Sequence, residues 1–148
     1  MTMRLYFSPV SANARRAVMT AHHLGLVGAT SGPSVELSLV DLGKGEQRSE
    51  DYLKKNPQGR VPLLQLDNGE YLSENTAILP FLGKRFNVWP TDPIAEARAH
   101  SFIGFIAASV HPAHAHYNPR RQGRCRVSAL TAFQLPSPKG EEEPAYML

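Results

Sequence analysis

Cysteine is all but missing: Cys125 stands alone among 148 residues, so no disulfide can close within the chain. A lone thiol fits a reducing compartment, and a cytoplasmic setting is expected. Long apolar runs are missing too. A membrane-spanning helix needs about 20 consecutive apolar residues, and no stretch approaches that. The chain enters Leu5-Tyr6-Phe7 almost at once, without the basic lead and apolar stretch of a secretory leader, so none is expected. A large charge imbalance is also absent, the formal net charge being +3. Arg120, Arg121, Arg124 and Arg126 crowd one stretch, but no aromatic residues are interleaved to stack bases, and nucleic acid is set aside as a partner. No internal repeat is visible.

What is present suits one domain and part of a second. Apolar residues make up 42% of the chain, enough for a core. Arg4 to Phe7 is a short strand that breaks at Pro9. Ala14, Ala17, Val18, Ala21 and Leu24 repeat at helical spacing, and Gly25 ends that helix. Val35, Leu37 and Leu39 alternate with Glu36 and Ser38, the pattern of a half-buried strand. Glu46 to Lys55 is a polar, irregular helix. Pro62 to Leu66 and Tyr71-Leu72 are strands joined through Asp67-Asn68-Gly69. A helix runs from Asn75 to Arg85, with a kink or wide turn expected at Pro80. This order predicts a four-stranded mixed sheet with helices on both sides. After a linker over 87–91, Asp92-Pro93 is a cap followed by proline at the first helical position. The helix it opens, to about His111, is apolar on nearly every side and must be covered by more protein.

The most informative stretch is Asn56-Pro57-Gln58-Gly59-Arg60-Val61-Pro62, followed by Ser73-Glu74-Asn75-Thr76-Ala77-Ile78. Val61-Pro62 lies where a helix gives way to a strand and is a candidate for a cis bond, which outside X-Pro is essentially forbidden. A residue held there presents its N–H and C=O outward, suited to pairing with the backbone of a peptide-like ligand.

Together with Ser8-Pro9-Val10-Ser11 before Arg15-Arg16, and Gly45-Glu46-Gln47-Arg48, these motifs resemble the glutathione transferases over Met3 to about Arg98. The resemblance implies a thioredoxin-like α/β domain over 1–87. An all-helical domain would begin at 88–118, keeping only its first helix or two, and 119–148 would be an irregular tail. It implies glutathione as co-substrate, no tightly bound cofactor, a homodimer, and conjugation of glutathione to small apolar electrophiles, the chemistry of detoxification. Ser11 matches the catalytic position of the serine-type classes, donating to the glutathione thiolate. The cysteine of a related bacterial class would fall at Ala12, where no thiol stands. By position, Val61 would pair with the cysteinyl backbone, and Glu74 and Asn75 would hold the γ-glutamyl end. Gln47, Arg48 and Arg60 would approach the glycyl carboxylate, and His111 would line the cleft. At the position of Asn75 the family usually has serine. The rival expectation is a glutathione-binding or protein-interacting module without a complete electrophile pocket.

Other features carry blander expectations. Ser11 also has the chemistry of a plain helix cap. His111, His114 and His116 are spaced like part of a metal site, but Pro112 disturbs the geometry and no carboxylate or thiol completes a set, so no metal is expected. Of Arg15 and Arg16, one is expected in a structural salt bridge. His22 and His23 should be exposed at a helix end. Ser128 to Gln134 offers one short helix in the tail, and Glu141 to Glu143 is a solvated run.

Overall fold

The computed structural model describes residues 1–116. Strand β1 (Thr2–Phe7) leads into helix α1 (Ala12–His23), which crosses over to β2 (Ser34–Leu39). A 3-10 turn (Glu46–Arg48) and helix α2 (Glu50–Lys55) precede the hairpin of β3 (Leu63–Gln65) and β4 (Tyr71–Ser73). Helix α3 (Asn75–Arg85) closes the sheet unit. The strand order is β2-β1-β3-β4, with β1 parallel to β2 and antiparallel to β3, and β3 antiparallel to β4. Leu5 stands opposite Leu37 on one side and Leu64 on the other.

Alternation along β1 sends its side chains to two cores. Met3 and Leu5 pack with Ala17, Ala21, Val35, Leu64, Ile78 and Leu82, so that α1 and α3 cover one face. Tyr6 points to the other face, where it meets Val40, Tyr52 and Leu63 under α2. The buried stripe of α1 is Ala14, Ala17 and Ala21; alanines leave room for α3 to lie close against it.

Helix ends follow the cap chemistry of the sequence. Gly25 adopts φ +67 after α1, donating from its N–H to the His22 carbonyl while the Leu26 N–H reaches Ala21, the paired bonds of a Schellman end. His22 and His23 are exposed in the last turn, favourably placed against the helix dipole. The helix expected over Glu46 to Lys55 divides instead at Ser49. That residue leaves helical backbone angles (φ −63, ψ 150), and its Oγ accepts from the Tyr52 N–H at 3.3 Å, starting α2 afresh. α3 continues through Pro80 as one element.

Beyond the linker, Asp92 accepts from the Ala95 N–H at 2.8 Å and Pro93 opens α4 (Pro93–Phe105). The helical path continues through a π-helical turn (Ile106–Val110) into α5 (His111–His116). α4 meets α3 through Lys84 and Glu96, 2.6 Å apart, and through Trp89, which donates to Glu96 and stacks obliquely on His100. The expected full cover is not found among the described residues: none of α4 is buried, and Ile94 and Phe102 are exposed. No described helix is long and apolar enough to cross a membrane. The arginine cluster, Cys125, the helix expected over 128–134 and the rest of the tail lie outside the described residues.

Candidate functional site

A cleft of about 510 Å³ opens where α1, the Val61–Pro62 loop, the start of α3 and the turn into α5 converge. Ser11 lies at the end of the β1–α1 connection. Its N–H donates to the Ser8 carbonyl at 3.1 Å, and its Oγ accepts from the Ala14 N–H at 3.2 Å. It therefore does cap α1, as the plain reading had it. Capping uses an oxygen lone pair and leaves the hydroxyl proton to donate, and Ser11 is half-buried on the cleft wall. A helix N-terminus also carries partial positive charge, so this corner favours an anion.

The second wall is the loop before β3. Val61–Pro62 is cis. The carbonyl of Arg60, just before it, accepts two hydrogen bonds, from Tyr52 Oη at 2.8 Å and Asn56 Nδ2 at 2.9 Å. Tyr52 is buried edge-on to Tyr6, and burial, followed by the charge of Tyr6 when ionised, pushes its phenol up to about 12. It remains a neutral donor at physiological pH. Arg60 and Val61 both line the cleft.

Gln47 and Arg48 part company. Gln47 lines the cleft, its Oε1 buried without a hydrogen-bond partner among the described residues. Arg48 is exposed and does not line it; a Cβ placed on Gly59 would lie 3.1 Å from Arg48 Nη1 and 2.8 Å from the Gln47 carbonyl. Adjacent residues of a tight turn point to different sides, so of the two only Gln47 stands on the cleft wall. Gly59, at φ +59, is needed twice: for its backbone and for the space where the turn crosses behind it.

The third wall is the junction of β4 and α3. Glu74 has φ +68 and ψ 133, a conformation that is uncommon outside glycine, and it lines the cleft between Ser73 and Asn75. Strained backbone of this kind concentrates at functional positions. Asn75 is 6% exposed; its Nδ2 donates to the Asn13 carbonyl at 2.8 Å, and its Oδ1 has no partner among the described residues. α3 is thus tied to the first turn of α1, beside Ser11.

Asn13 and Arg16, one turn along α1, also line the cleft and were not among the expected site residues. The Arg16 guanidinium is hydrogen-bonded to Asn13 Oδ1, and burial lowers its pKa. Neither it nor Arg15 forms an ion pair among the described residues, so the structural salt bridge expected for one of them is not found; Arg15 is exposed. Asn13 and Arg16 are three residues apart and share a face of α1, but the sequence alone does not say that this face borders the cleft. His111 lines the cleft with Ala107 and Pro112. The side chains of His114 and His116 are outside the described part.

The comparisons with known proteins agree with this geometry. The family model for the glutathione S-transferase N-terminal domain matches residues 5–92. Maleylacetoacetate isomerase of Pseudomonas aeruginosa is 38% identical over 84 residues, 55% of this chain and 39% of that protein. Human glutathione S-transferase theta-2 is 32% identical over 111 residues, 72% of this chain and 42% of that protein. The chain thus spans about two fifths of the length of these relatives. A glutathione transferase homologue from Sulfitobacter, solved with bound glutathione, superposes with a TM-score of 0.66 at 30% identity, covering 86% of this chain and 59% of that one. With the family model covering more than half of its residues, and the four-stranded sheet and its helices in place, the chain belongs to the glutathione S-transferase family through a thioredoxin-like amino-terminal domain.

Proposed function

We propose that the chain binds glutathione in this cleft, holds its sulfur as the thiolate at Ser11, and conjugates it to small apolar electrophiles. The observation that carries the reading is the convergence of Ser11, the cis Val61–Pro62 loop and the Glu74-Asn75 helix start on one cleft. The Sulfitobacter homologue with bound glutathione supports the choice of ligand. In this reading Val61 pairs with the cysteinyl backbone, Glu74 and Asn75 take the γ-glutamyl end, and Gln47 and Arg60 face the glycyl carboxylate. Arg16 adds a partly desolvated positive charge to the same cavity. Arg48, exposed beside cleft-lining Gly59, stands outside this set.

The thiol is a poor nucleophile, so ionisation is the chemical task. The Ser11 hydroxyl donates to sulfur while it accepts from the Ala14 N–H, an arrangement in which each bond strengthens the other. The thiol proton leaves to water. The thiolate sulfur then forms a bond to the electrophilic carbon, the leaving group departs with its electron pair, and no covalent enzyme intermediate is needed. Ala107, His111 and Pro112 supply the cleft wall available to the second substrate. The reading divides the chain into a glutathione-binding domain over 1–87, the start of a helical domain over 88–118, and a tail over 119–148. It takes a homodimer as the assembly and the cytoplasm as the setting.

A second reading is a glutathione-binding module without catalysis, favoured by the small share of the cleft wall that, among the described residues, comes from beyond α4. Calorimetry with glutathione, followed by a conjugation assay with an activated aryl chloride, separates the two. Binding with turnover supports the transferase, and binding without turnover supports the module. A folded sample that binds no glutathione sinks both.

A further inference from the structure

The two donors on the Arg60 carbonyl come from different parts of the fold. Asn56 belongs to the turn that it braces. Its Oδ1 accepts from the Gln58 N–H at 3.2 Å, its main-chain carbonyl accepts from the Gly59 N–H at 2.9 Å, and its Nδ2 reaches Arg60. Tyr52 stands instead on α2. Its ring is buried, with its centroid 6.0 Å from that of Tyr6 on β1, so its hydroxyl, 2.8 Å from the same carbonyl, ties the loop to the sheet. Tyr52 does not itself line the cleft. The peptide joining Arg60 to Val61 is trans, so its C=O and N–H point in opposite directions. With the carbonyl held on the side of Tyr52 and Asn56, the Val61 N–H is turned the other way. No hydrogen bond among the described residues takes it up, and Val61 lines the cleft.

We propose that Tyr52 is a positioning residue for ligand binding: through the Arg60 carbonyl, its hydroxyl sets the plane of the peptide whose N–H Val61 offers to a main-chain carbonyl of the bound thiol peptide. The proposal rests on the glutathione reading above and deepens it, by giving a part in recognition to a residue outside the cleft wall. A carbonyl held by one donor can swing about it; a second donor from a separate element fixes the plane. Phenylalanine at this position keeps the ring, its packing on Tyr6 and the Asn56 bond, and removes only the second donor. The loss of affinity therefore falls on the ligand group that faces Val61, and is not spread evenly over the ligand.

The test is a cycle of two proteins and two ligands, read by calorimetry on the full chain. The ligands are glutathione and its thioamide analogue, in which sulfur replaces the cysteinyl carbonyl oxygen, a weaker acceptor of nearly the same shape. The wild-type chain should bind the thioamide about 5-fold more weakly than glutathione. Tyr52→Phe should bind glutathione about 5-fold more weakly than wild type, the scale of one hydrogen bond between neutral groups. The two losses should not multiply, so Tyr52→Phe should separate the ligands by less than about 2-fold. Titrations are run below the melting transition of the variant, which a thermal melt locates. A folded Tyr52→Phe that binds glutathione like wild type overturns the proposal and leaves glutathione binding intact. So does one that weakens both ligands by the same factor, the signature of a residue with a purely structural part. A wild-type chain that binds the two ligands equally also overturns it, since no ligand carbonyl then meets the oriented N–H. A folded wild-type chain that binds neither overturns the glutathione reading and this proposal together.

Discussion

Removing the Ser11 hydroxyl is expected to raise the pKa of bound glutathione by about 1–2 units. A hydrogen bond to a charged acceptor is worth about 1.5–3 kcal/mol, and one pKa unit corresponds to about 1.36 kcal/mol. The α1 terminus would still contribute about 0.3–1 kcal/mol without the serine. From an unperturbed thiol near ~8.5, the wild-type site should bring glutathione to roughly 5.5–7, mostly ionised at neutral pH. The variant should leave it near ~8. Ser11 also caps α1 through the Ala14 N–H, so Ser11→Ala carries a second effect, about 0.5–2 kcal/mol of stability. Ser11→Gly separates the two, because glycine at a cap costs only a few tenths of a kcal/mol while still removing the donor. The assay is the ultraviolet absorbance of the bound thiolate against pH, with melting temperatures recorded alongside. Ser11→Gly should match Ser11→Ala in thiolate pKa and exceed it in melting temperature. If both variants bind glutathione with a thiolate pKa within about 0.3 units of wild type, well below one such hydrogen bond, Ser11 is a cap only.

Gly59→Ala should destabilise the fold by more than about 1 kcal/mol and weaken glutathione binding, because φ is +59 and the new Cβ would lie 2.8 Å from the Gln47 carbonyl. Denaturant titration and calorimetry check the pair of effects; a neutral outcome in both would show that the turn carrying Gln47 yields freely. Tyr52→Phe should cost about 0.5–1.5 kcal/mol through the lost bond to the Arg60 carbonyl, with Asn56 still in place to hold that oxygen. Tyr52 also predicts an alkaline limit. Its folded pKa is raised from 10.0 to about 12, so its contribution is complete below about pH 10 and is lost as pH rises through about 12. Tyr52→Phe should flatten that part of the alkaline stability profile. Gly83→Ala would put a Cβ 2.8 Å from Trp89 Cε3, and Trp89 is the chain's single tryptophan, so its fluorescence should shift and the melting temperature fall.

Much of the frame was legible because short-range chemistry determines it. Asp92-Pro93, Gly25 and the Asp67-Asn68-Gly69 turn act within a few residues of themselves, through backbone angles or a side chain bonded to a nearby N–H, and each stands where its chemistry requires. Val61-Pro62 was recognisable for the same reason, as a proline set between a helix and a strand. The divisions that were missed depend on tertiary packing. Nothing in Gln47-Arg48 says which side chain turns inward, since that is decided by Gly59 crossing behind the turn. Asn13 and Arg16 became site residues only because α3 was brought against α1. The break at Ser49 was within reach of sequence reasoning, being a serine followed by two acidic residues, the signature of a fresh helix start. The apolar circumference of α4 led to the expectation of full cover, whereas the described residues meet it mainly on the side toward α3.

Glu74 holds a backbone conformation that suits glycine, with φ +68 at the point where β4 turns into α3. Such residues are strained by about 1–3 kcal/mol. A laboratory selection for heat resistance alone should therefore drift toward Glu74→Gly, relaxing the junction while deleting a carboxylate from the cleft. A selection that also demands ligand should hold the glutamate against that drift. The same position would then be improvable under one criterion and hard to replace under the other.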